Sequence, residues 1–430
     1  MSAASFETFR KNIAVSNSDD ISTKYRAITN RLNKDYWDVE QEYLHCLQVG
    51  SYGRNTAIDG VSDLDMIFEL PWHVHDRFCN RQGNIQSQLL ADVREKLKVR
   101  YPTTKIKADG QVVVVDFKSY RVEVLPAFVE ANGSYKFADS NGDGSWKWCW
   151  PKDEMNAMQS VQVRSNHNLK RACKMVRAWK NHKGAPMSGM LIDTLCFNFF
   201  NENKSYDDKS YASYPELVRD IFTYLGDRPD QAYWLAPGSK DRVFPNGKFQ
   251  AKAKKAAAKC QEALDTEKPT VKDDRWKSVF GRPFPRLSAV VKSASARGTS
   301  FNNTEQFIED QFPVDVQFEV QIECEVSFQG RNEKRIRWME SVFPIHLGRS
   351  LKFKVTSCTV PQPDALLWKV RNVGTVAEQR GIRGQINPDN GDWTLSEKTD
   401  FPGPHYVECY VIKDGVCVAL DRFDVPIDSL

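Results

Sequence analysis

A chain of 430 residues with 41% hydrophobic and 27% charged side chains has the composition of an ordinary globular protein, long enough for two or three domains. A formal net charge of +4 excludes a general polyanion-binding character, so any basic site must be local. The ten cysteines form no C-x-x-C pair and no run reaches the length of a membrane span, which argues against a zinc site, a disulfide framework and a spanning helix and makes a cytoplasmic protein the expectation.

The first 40 residues predict a helix leading into a sheet: Asp20 is placed to cap a segment whose apolar residues Ile21, Tyr25, Ile28 and Leu32 recur at helical spacing. Tyr43 to Val49 is an apolar, aromatic run that suits a buried strand, and at Gly50 and Ser51 it breaks into a turn able to open a short helix. A glycine there lets a phosphate approach the backbone, while the serine hydroxyl and the free N–H groups of a helix start can bond its oxygens. In DLDMIFEL, Leu64, Met66, Phe68 and Leu70 point one way and Asp63, Asp65, Ile67 and Glu69 the other. Two carboxylates at i, i+2 on one strand face repel unless a cation sits between them, and Mg²⁺ is the hard ion that also binds phosphates.

The order of strand, G-S turn, loop and D-x-D resembles the nucleotidyltransferase superfamily that includes DNA polymerase beta. Within it, the string GSYGRNTAIDGVSDLDM resembles the bacterial cGAS/DncV-like nucleotidyltransferases, or CD-NTases. The resemblance implies an α+β protein: a polymerase-beta-like core with a helical second lobe. It also implies Mg²⁺, or alternatively Mn²⁺, on Asp63 and Asp65. The activity it implies is condensation of NTPs, with release of pyrophosphate, into a cyclic di- or trinucleotide second messenger of anti-phage defence.

Leu89, Leu90, Val93 and Leu97 predict an amphipathic helix over Ile85 to Val99, after which the period switches to two. QVVVVDFKSYRVEVLPAFVE reads as two antiparallel strands joined near Lys118 to Tyr120. Two divalent ions on a triphosphate need a carboxylate beyond the D-x-D pair. Glu123 and Asp116 are the candidates. VEVLPAF resembles the third-acid strand of the family, which favours Glu123 as catalytic and metal-binding residue, whereas Asp116 reads as a strand-end carboxylate facing water. YKFADSNGDGSWKWCWPKDEM is rich in Gly, Asp and Trp and reads as a long surface loop, anchored by Trp146, Trp148 and Trp150.

In NLKRACKMVRAWKNH, Leu169, Cys173, Val176 and Trp179 make a buried stripe, and Lys170, Lys174 and Arg177 a basic one that would suit either a solvated face or a triphosphate. The resemblance favours the triphosphate. The donor-contacting lysine and serine of the family match Lys174 and Ser188, which with Gly50 and Ser51 make the nucleotide-binding set. Ser188 is equally placed to cap the helix containing Leu191, Leu195 and Phe199, and Gly189 offers no aromatic for base stacking.

Helices are predicted over Tyr214 to Leu225 and Lys248 to Leu264, the second with Lys252, Lys255 and Lys259 along a face that reads as solubilising. Leu287 to Asn303 is small, polar and linker-like. Beyond it, six or seven strand-like runs, with a D-G turn at Asp414 and Gly415, predict a small β-sandwich. ALLWKVRNVG, GIRGQI and FPGPHYVECYV resemble the C-terminal sensor domain found behind adenylyl and guanylyl cyclases and SMODS-type nucleotidyltransferases (AGS-C). The expected organisation is a nucleotidyltransferase over 1–286, a linker over 287–311 and a β-rich sensor-like domain over 312–430. Arg371, Arg383 and His405 lie near strand ends where a ligand would be gripped or where water would solvate them, and Trp368 is expected in the core.

The partners implied are NTPs, an effector of the nucleotide product and a regulatory ligand or partner at the C-terminal domain, with no membrane and no stable nucleic-acid contact. The competing readings are a synthase of linear or protein-primed oligonucleotides, an RNA-tailing polymerase, and a nucleotide-sensing module. An RNA-tailing enzyme would want an RNA-binding surface that is not evident, and a sensing module would have lost one of Asp63, Asp65 and Glu123.

Overall fold

The computed structural model describes residues 2–16, 18–60, 63–286, 306, 308–312, 314–328, 331–336, 345–372, 383–400, 403, 405–425 and 427. They fall into two compact units, Met1–Glu42 with Gln48–Arg297, and Tyr43–Leu47 with Gly298–Leu430.

The N-terminal stretch is two helices, α1 (Ser2–Asn12) and α2 (Ser18–Tyr36). The expected stripe Ile21, Tyr25, Ile28 and Leu32 is buried on α2, but Asp20 lies inside its first turn and does not cap it. Phe6, Phe9 and Ile13, three and four residues apart, are buried too, which explains why so short a segment as α1 is helical.

The sheet contains β1 (Cys46–Gln48), β2 (Leu64–Glu69), β3 (Lys105–Asp109), β4 (Val112–Asp116), β5 (Arg121–Val129), β6 (Tyr135–Asp139) and β7 (Ser145–Cys149). Its order is β1-β2-β5-β4-β3, with β6 also beside β5 and β7 beyond β6. β1 is shorter than the run Tyr43 to Val49 because His45 takes a left-handed φ of 59° and turns the chain. β2 and β5 are parallel, so their residues stand opposite in register from Leu64↔Val122 to Glu69↔Ala127. On its other edge β5 pairs β4 through Val124 and β6 from Ala127, which leaves Pro126, without an N–H, in the gap between them.

Residues 135–149 correct the expected loop. They form the β6–β7 hairpin, whose turn is closed by Gly142 and Gly144, both at positive φ. Trp146 on β7 stacks within 4.9 Å of His75 and 5.9 Å of Phe128, with the Lys136 ammonium 5.2 Å above it, so it belongs to a packed cluster. The helices α3 (Gly50–Gly53), α4 (Trp72–Cys79) and α5 (Ile85–Arg100) accompany this sheet.

The helical lobe consists of α6 (Pro151–Arg164), α7 (Asn168–Lys183), α8 (Gly189–Glu202), α9 (Tyr214–Gly226), α10 (Gln250–Asp265) and α11 (Pro269–Phe280). Its core gathers Phe6 and Phe9 of α1 with Trp179, Phe222, Trp276 and Phe280. Edge-on contacts such as Phe6–Trp276 at 5.0 Å tie the N-terminal helix to the last ones. No helix among the described residues is long and apolar enough to cross a membrane.

Of the expected linker 287–311, residues 287–305 and 307 lie outside the described residues, and Ile308–Gln311 form one helical turn. The second unit carries two four-stranded sheets. One contains Val320–Phe328, Arg331–Ile336, Ser350–Cys358 and Thr394–Lys398, and the other Ala365–Asn372, Ile386–Pro388, His405–Lys413 and Val416–Val425. Ile322, Cys324 and Phe353 from the first sheet meet Trp368, Val407 and Cys409 from the second in a common core, as a sandwich requires. The D-G turn is realised with φ of 51° at Asp414 and 71° at Gly415, the conformation a two-residue hairpin needs.

Candidate active site

Gly50 opens α3 at φ 63°, and a Cβ at this position would lie 1.9 Å from Oδ2 of Asp65. Glycine is therefore what lets the turn and the carboxylate of the following strand touch. The backbone holds the same contact, since Val49 N–H donates to the Asp65 carbonyl at 2.9 Å. Ser51 lies on the next position of the turn, and its carbonyl accepts from the N–H groups of Thr56 and Ala57 at 2.7 and 3.1 Å.

Parallel register sets Asp65 opposite Glu123, and paired residues project from the same face of a sheet. Asp63 precedes β2 by one residue and sits beside them. Its Oδ2 lies 3.3 Å from Nη2 of Arg121, whose Nε is 4.0 Å from Oδ1 of Asp116. Asp116 is thus one strand further across, paired in register with Arg121, while Glu123 adjoins Asp65 directly.

The electrostatics of this face follow from crowding. Burial, with the charge of Glu123 and then that of Asp63 against partial relief from Arg54, pushes the Asp65 carboxyl up to about 7. Burial and Asp63 also raise Glu123. Like charges in this state favour a divalent cation, and a set of carboxylates is the donor chemistry of Mg²⁺ or Mn²⁺. Among the described residues, no three His, Cys, Asp or Glu side chains already close into a ligand cluster, and Asp63 faces Arg121.

Lys174 on α7 is half-buried and donates to Oδ1 of Asn55 at 3.0 Å, which places its ammonium beside the loop that follows α3. The other two members of the predicted basic stripe do not share that role. Lys170 is buried, donates to Gln159 Oε1 at 2.7 Å, and burial together with Lys174 pulls its pKa down to about 7. Arg177 is buried as well and spent on Asp193, its Nη2 lying 2.9 Å from Oδ2. Ser188 caps α8, accepting from Leu191 N–H at 3.1 Å, so its capping role is realised.

Sequence reasoning missed the group behind the turn. Asp193 on α8 is fully buried and receives Arg54 Nε at 2.9 Å, Thr56 Oγ1 at 3.0 Å and the Arg177 fork. Arg54 also reaches Oε2 of Glu154 at 3.2 Å. Burial works to raise Asp193, but Arg177 and Arg54 override it and leave the carboxyl below its usual value. This network locks the loop Gly50–Thr56 to α7 and α8. The signal was an aspartate inside the apolar helix MLIDTLCFNFF, which must have a cationic partner.

In the second unit Trp368 is core and donates to Asp389 Oδ1 at 2.9 Å. Arg383 and His405 line one cavity of about 760 Å³, where Arg383 forks onto Glu397 with two contacts of 2.7 Å.

Residues 1–161 match the family model of the Second Messenger Oligonucleotide or Dinucleotide Synthetase (SMODS) domain. Residues 302–428 match that of the Adenylyl/Guanylyl and SMODS C-terminal sensor (AGS_C) domain. Among solved structures the chain is similar to CdnC of E. coli MS115-1 in complex with HORMA-deltaN, at 13% identity and a TM-score of 0.51 over 66% of this chain and 98% of that one. It is similar to the same protein with ATP at 14% identity and 0.51, over 66% and 99%, and to apo DncV of Vibrio cholerae at 16% and 0.46, over 57% and 70%. At these identities the likeness to CdnC carries the fold alone. No curated protein matches the chain.

Proposed function

The chain belongs to the SMODS-type cGAS/DncV-like nucleotidyltransferases with an AGS_C domain, and we propose that it condenses NTPs into a cyclic di- or trinucleotide second messenger of a CBASS-like anti-phage defence. The observation that carries this reading is the crowded acidic face, Asp65 in register with Glu123 and touching Gly50, with Asp65 raised to about 7 although Arg54 partly relieves it.

In this reading Asp63, Asp65 and Glu123 are the catalytic and metal-holding residues. These three carboxylates would hold a divalent ion, Mg²⁺ or Mn²⁺, which when bound would withdraw charge from the triphosphate and lower the pKa of the attacking ribose hydroxyl. Ser51 and the backbone at Gly50 bond triphosphate oxygens, and Lys174 supplies a charge-assisted contact from across the loop. Ser188 serves the same nucleotide from the start of α8 in addition to its cap. The hydroxyl oxygen forms a bond to the α-phosphorus as the bond to pyrophosphate breaks, and repeating the step on the linear product closes the ring. For Asp63 to hold a cation, Arg121, whose Nη2 lies 3.3 Å from its Oδ2, would have to give way. The product acts on a separate effector, and the AGS_C domain takes the regulatory ligand, for which the cavity at Arg383 and His405 is the candidate.

Mass spectrometry of the products made from all four NTPs, with and without phosphatase, tests the reading. A phosphatase-resistant cyclic oligonucleotide supports it, and a product that keeps a phosphatase-sensitive triphosphate end would identify a linear synthase instead.

A further inference from the structure

Lys252, Lys255 and Lys259 of α10 do not simply coat a solvated face. With Lys183 of α7 they surround a cavity of about 480 Å³ between α7, α10 and α11, and no acidic residue among those described lines it. Trp179, Ala256 and Val279, all buried, form the apolar part of its wall.

The four lysines are not equivalent. Lys252 donates to the carbonyls of Lys183 and Gly184 at 3.0 and 2.7 Å and so closes the C-terminal end of α7. Lys259 pairs with Glu262 at 2.7 Å. Lys183 and Lys255 have no ion pair among the described residues, which leaves two uncompensated ammonium groups beside an apolar wall. The Nε1–H of Trp179 is buried and has no acceptor among the described residues. Buried donors are normally satisfied, and like charges next to low-dielectric surface repel more strongly than in water.

Each feature narrows the ligand. The uncompensated lysines select an anion. The Trp179, Ala256 and Val279 wall gives inorganic phosphate nothing to bury, and a pocket of this volume that opens to solvent between exposed lysines suits a small molecule better than a polymer backbone, which needs a longer cationic track. We propose that this cavity binds a small amphiphilic organic anion, its apolar body against Trp179, Ala256 and Val279 and its carboxylate, sulfonate or phosphate at Lys183 and Lys255. The site goes beyond the nucleotide reading and uses none of its residues, so binding measured directly stands or falls independently of catalysis.

The test titrates 8-anilinonaphthalene-1-sulfonate into the full chain and follows its fluorescence and energy transfer from tryptophan. The expected result is a saturable site displaced by decyl sulfate and unaffected by sodium sulfate at equal ionic strength. Lys183→Gln with Lys255→Gln should weaken that site about tenfold or more, and the double arginine variant should keep it. Ala258→Trp, an exposed position on the cavity rim, should remove it while the thermal melt stays that of the wild type. Absence of saturable binding would overturn the proposal. So would binding unchanged in the glutamine and tryptophan variants, or displacement by sodium sulfate as effective as by decyl sulfate, which would make the lysines an ordinary solvated surface.

Discussion

On the face shared by β2 and β5, Asp63, Asp65 and Glu123 set like charges side by side, and the crowding drives Asp65 up to about 7. Behind α3, Arg54, Arg177, Asp193 and Glu154 alternate in sign, and a more deeply buried carboxylate, Asp193, is held below its usual range. Arg54 belongs to both settings, since it anchors to Asp193 and partly relieves Asp65. The contrast is between two settings of buried charge: Asp193 has its full set of partners and holds the loop in place, whereas Asp65 has only partial relief from Arg54 against Glu123 and Asp63.

The largest effect on stability should come from breaking the satisfied cluster. Asp193→Ala removes the carboxylate that two buried guanidinium groups share, leaving Arg54 only Glu154 and Arg177 no ion pair, and denaturant unfolding should show a loss of about 3–5 kcal/mol. A loss near zero would mean that the arginines find other partners and that the loop is held by something else. In the unsatisfied cluster the effect falls on turnover. Glu123→Gln should cost about a thousandfold in rate, equivalent to about 4 kcal/mol, and Asp116→Asn, whose partner is Arg121, should cost little. The reverse ranking would move the third acid to Asp116.

Lys174→Ala removes one charge-assisted contact of about 1.5–3 kcal/mol, so NTP affinity measured by calorimetry should fall roughly ten- to a hundredfold with the fold intact. Unaltered affinity would make Lys174 only the partner of Asn55. The smallest effect sharpens the position of Lys170. Burial lowers it from 10.5 to about 7, so between those values the unfolded chain binds more protons and stability should rise with pH. The slope is at most about 1.4 kcal/mol per pH unit. Lys170→Met should flatten it, and an unchanged slope would show that another group titrates there.

The acidic face was legible because strand alternation is a two-residue period: once Asp63 and Asp65 were on one face, any parallel neighbour carrying an acid in register would complete it. Gly50 was legible as a close-approach glycine, although the group approaching it within the structure is the Asp65 carboxylate. The basic stripe misled for Lys170 and Arg177 alike, since helical spacing fixes which residues share a stripe and not whether that stripe faces solvent or another helix. Arg177 and Lys170 point into α8 and α6 partners that only tertiary structure supplies. The β6–β7 hairpin was hidden by its Gly- and Asp-rich turn, which dominates the composition of a short segment. In the second unit the turn chemistry at Asp414–Gly415 and the alternating runs made the sandwich readable, whereas the fork of Arg383 on Glu397 joins residues 14 apart across a register that the sequence does not encode.

In the proposed function Asp63, Asp65 and Glu123 perform the NTP chemistry, and their crowded charges contribute nothing to holding the fold. The most direct measurement is pyrophosphate release from the four NTPs by the wild type and by Asp63→Asn/Asp65→Asn, with thermal unfolding of both proteins recorded without added divalent ions. The prediction is that the variant releases no pyrophosphate yet melts at the wild-type temperature or above it, because relief of the like-charge crowding around Asp65 offsets loss of the solvent-exposed Asp63–Arg121 pair. Undiminished pyrophosphate release by a folded variant would contradict the account.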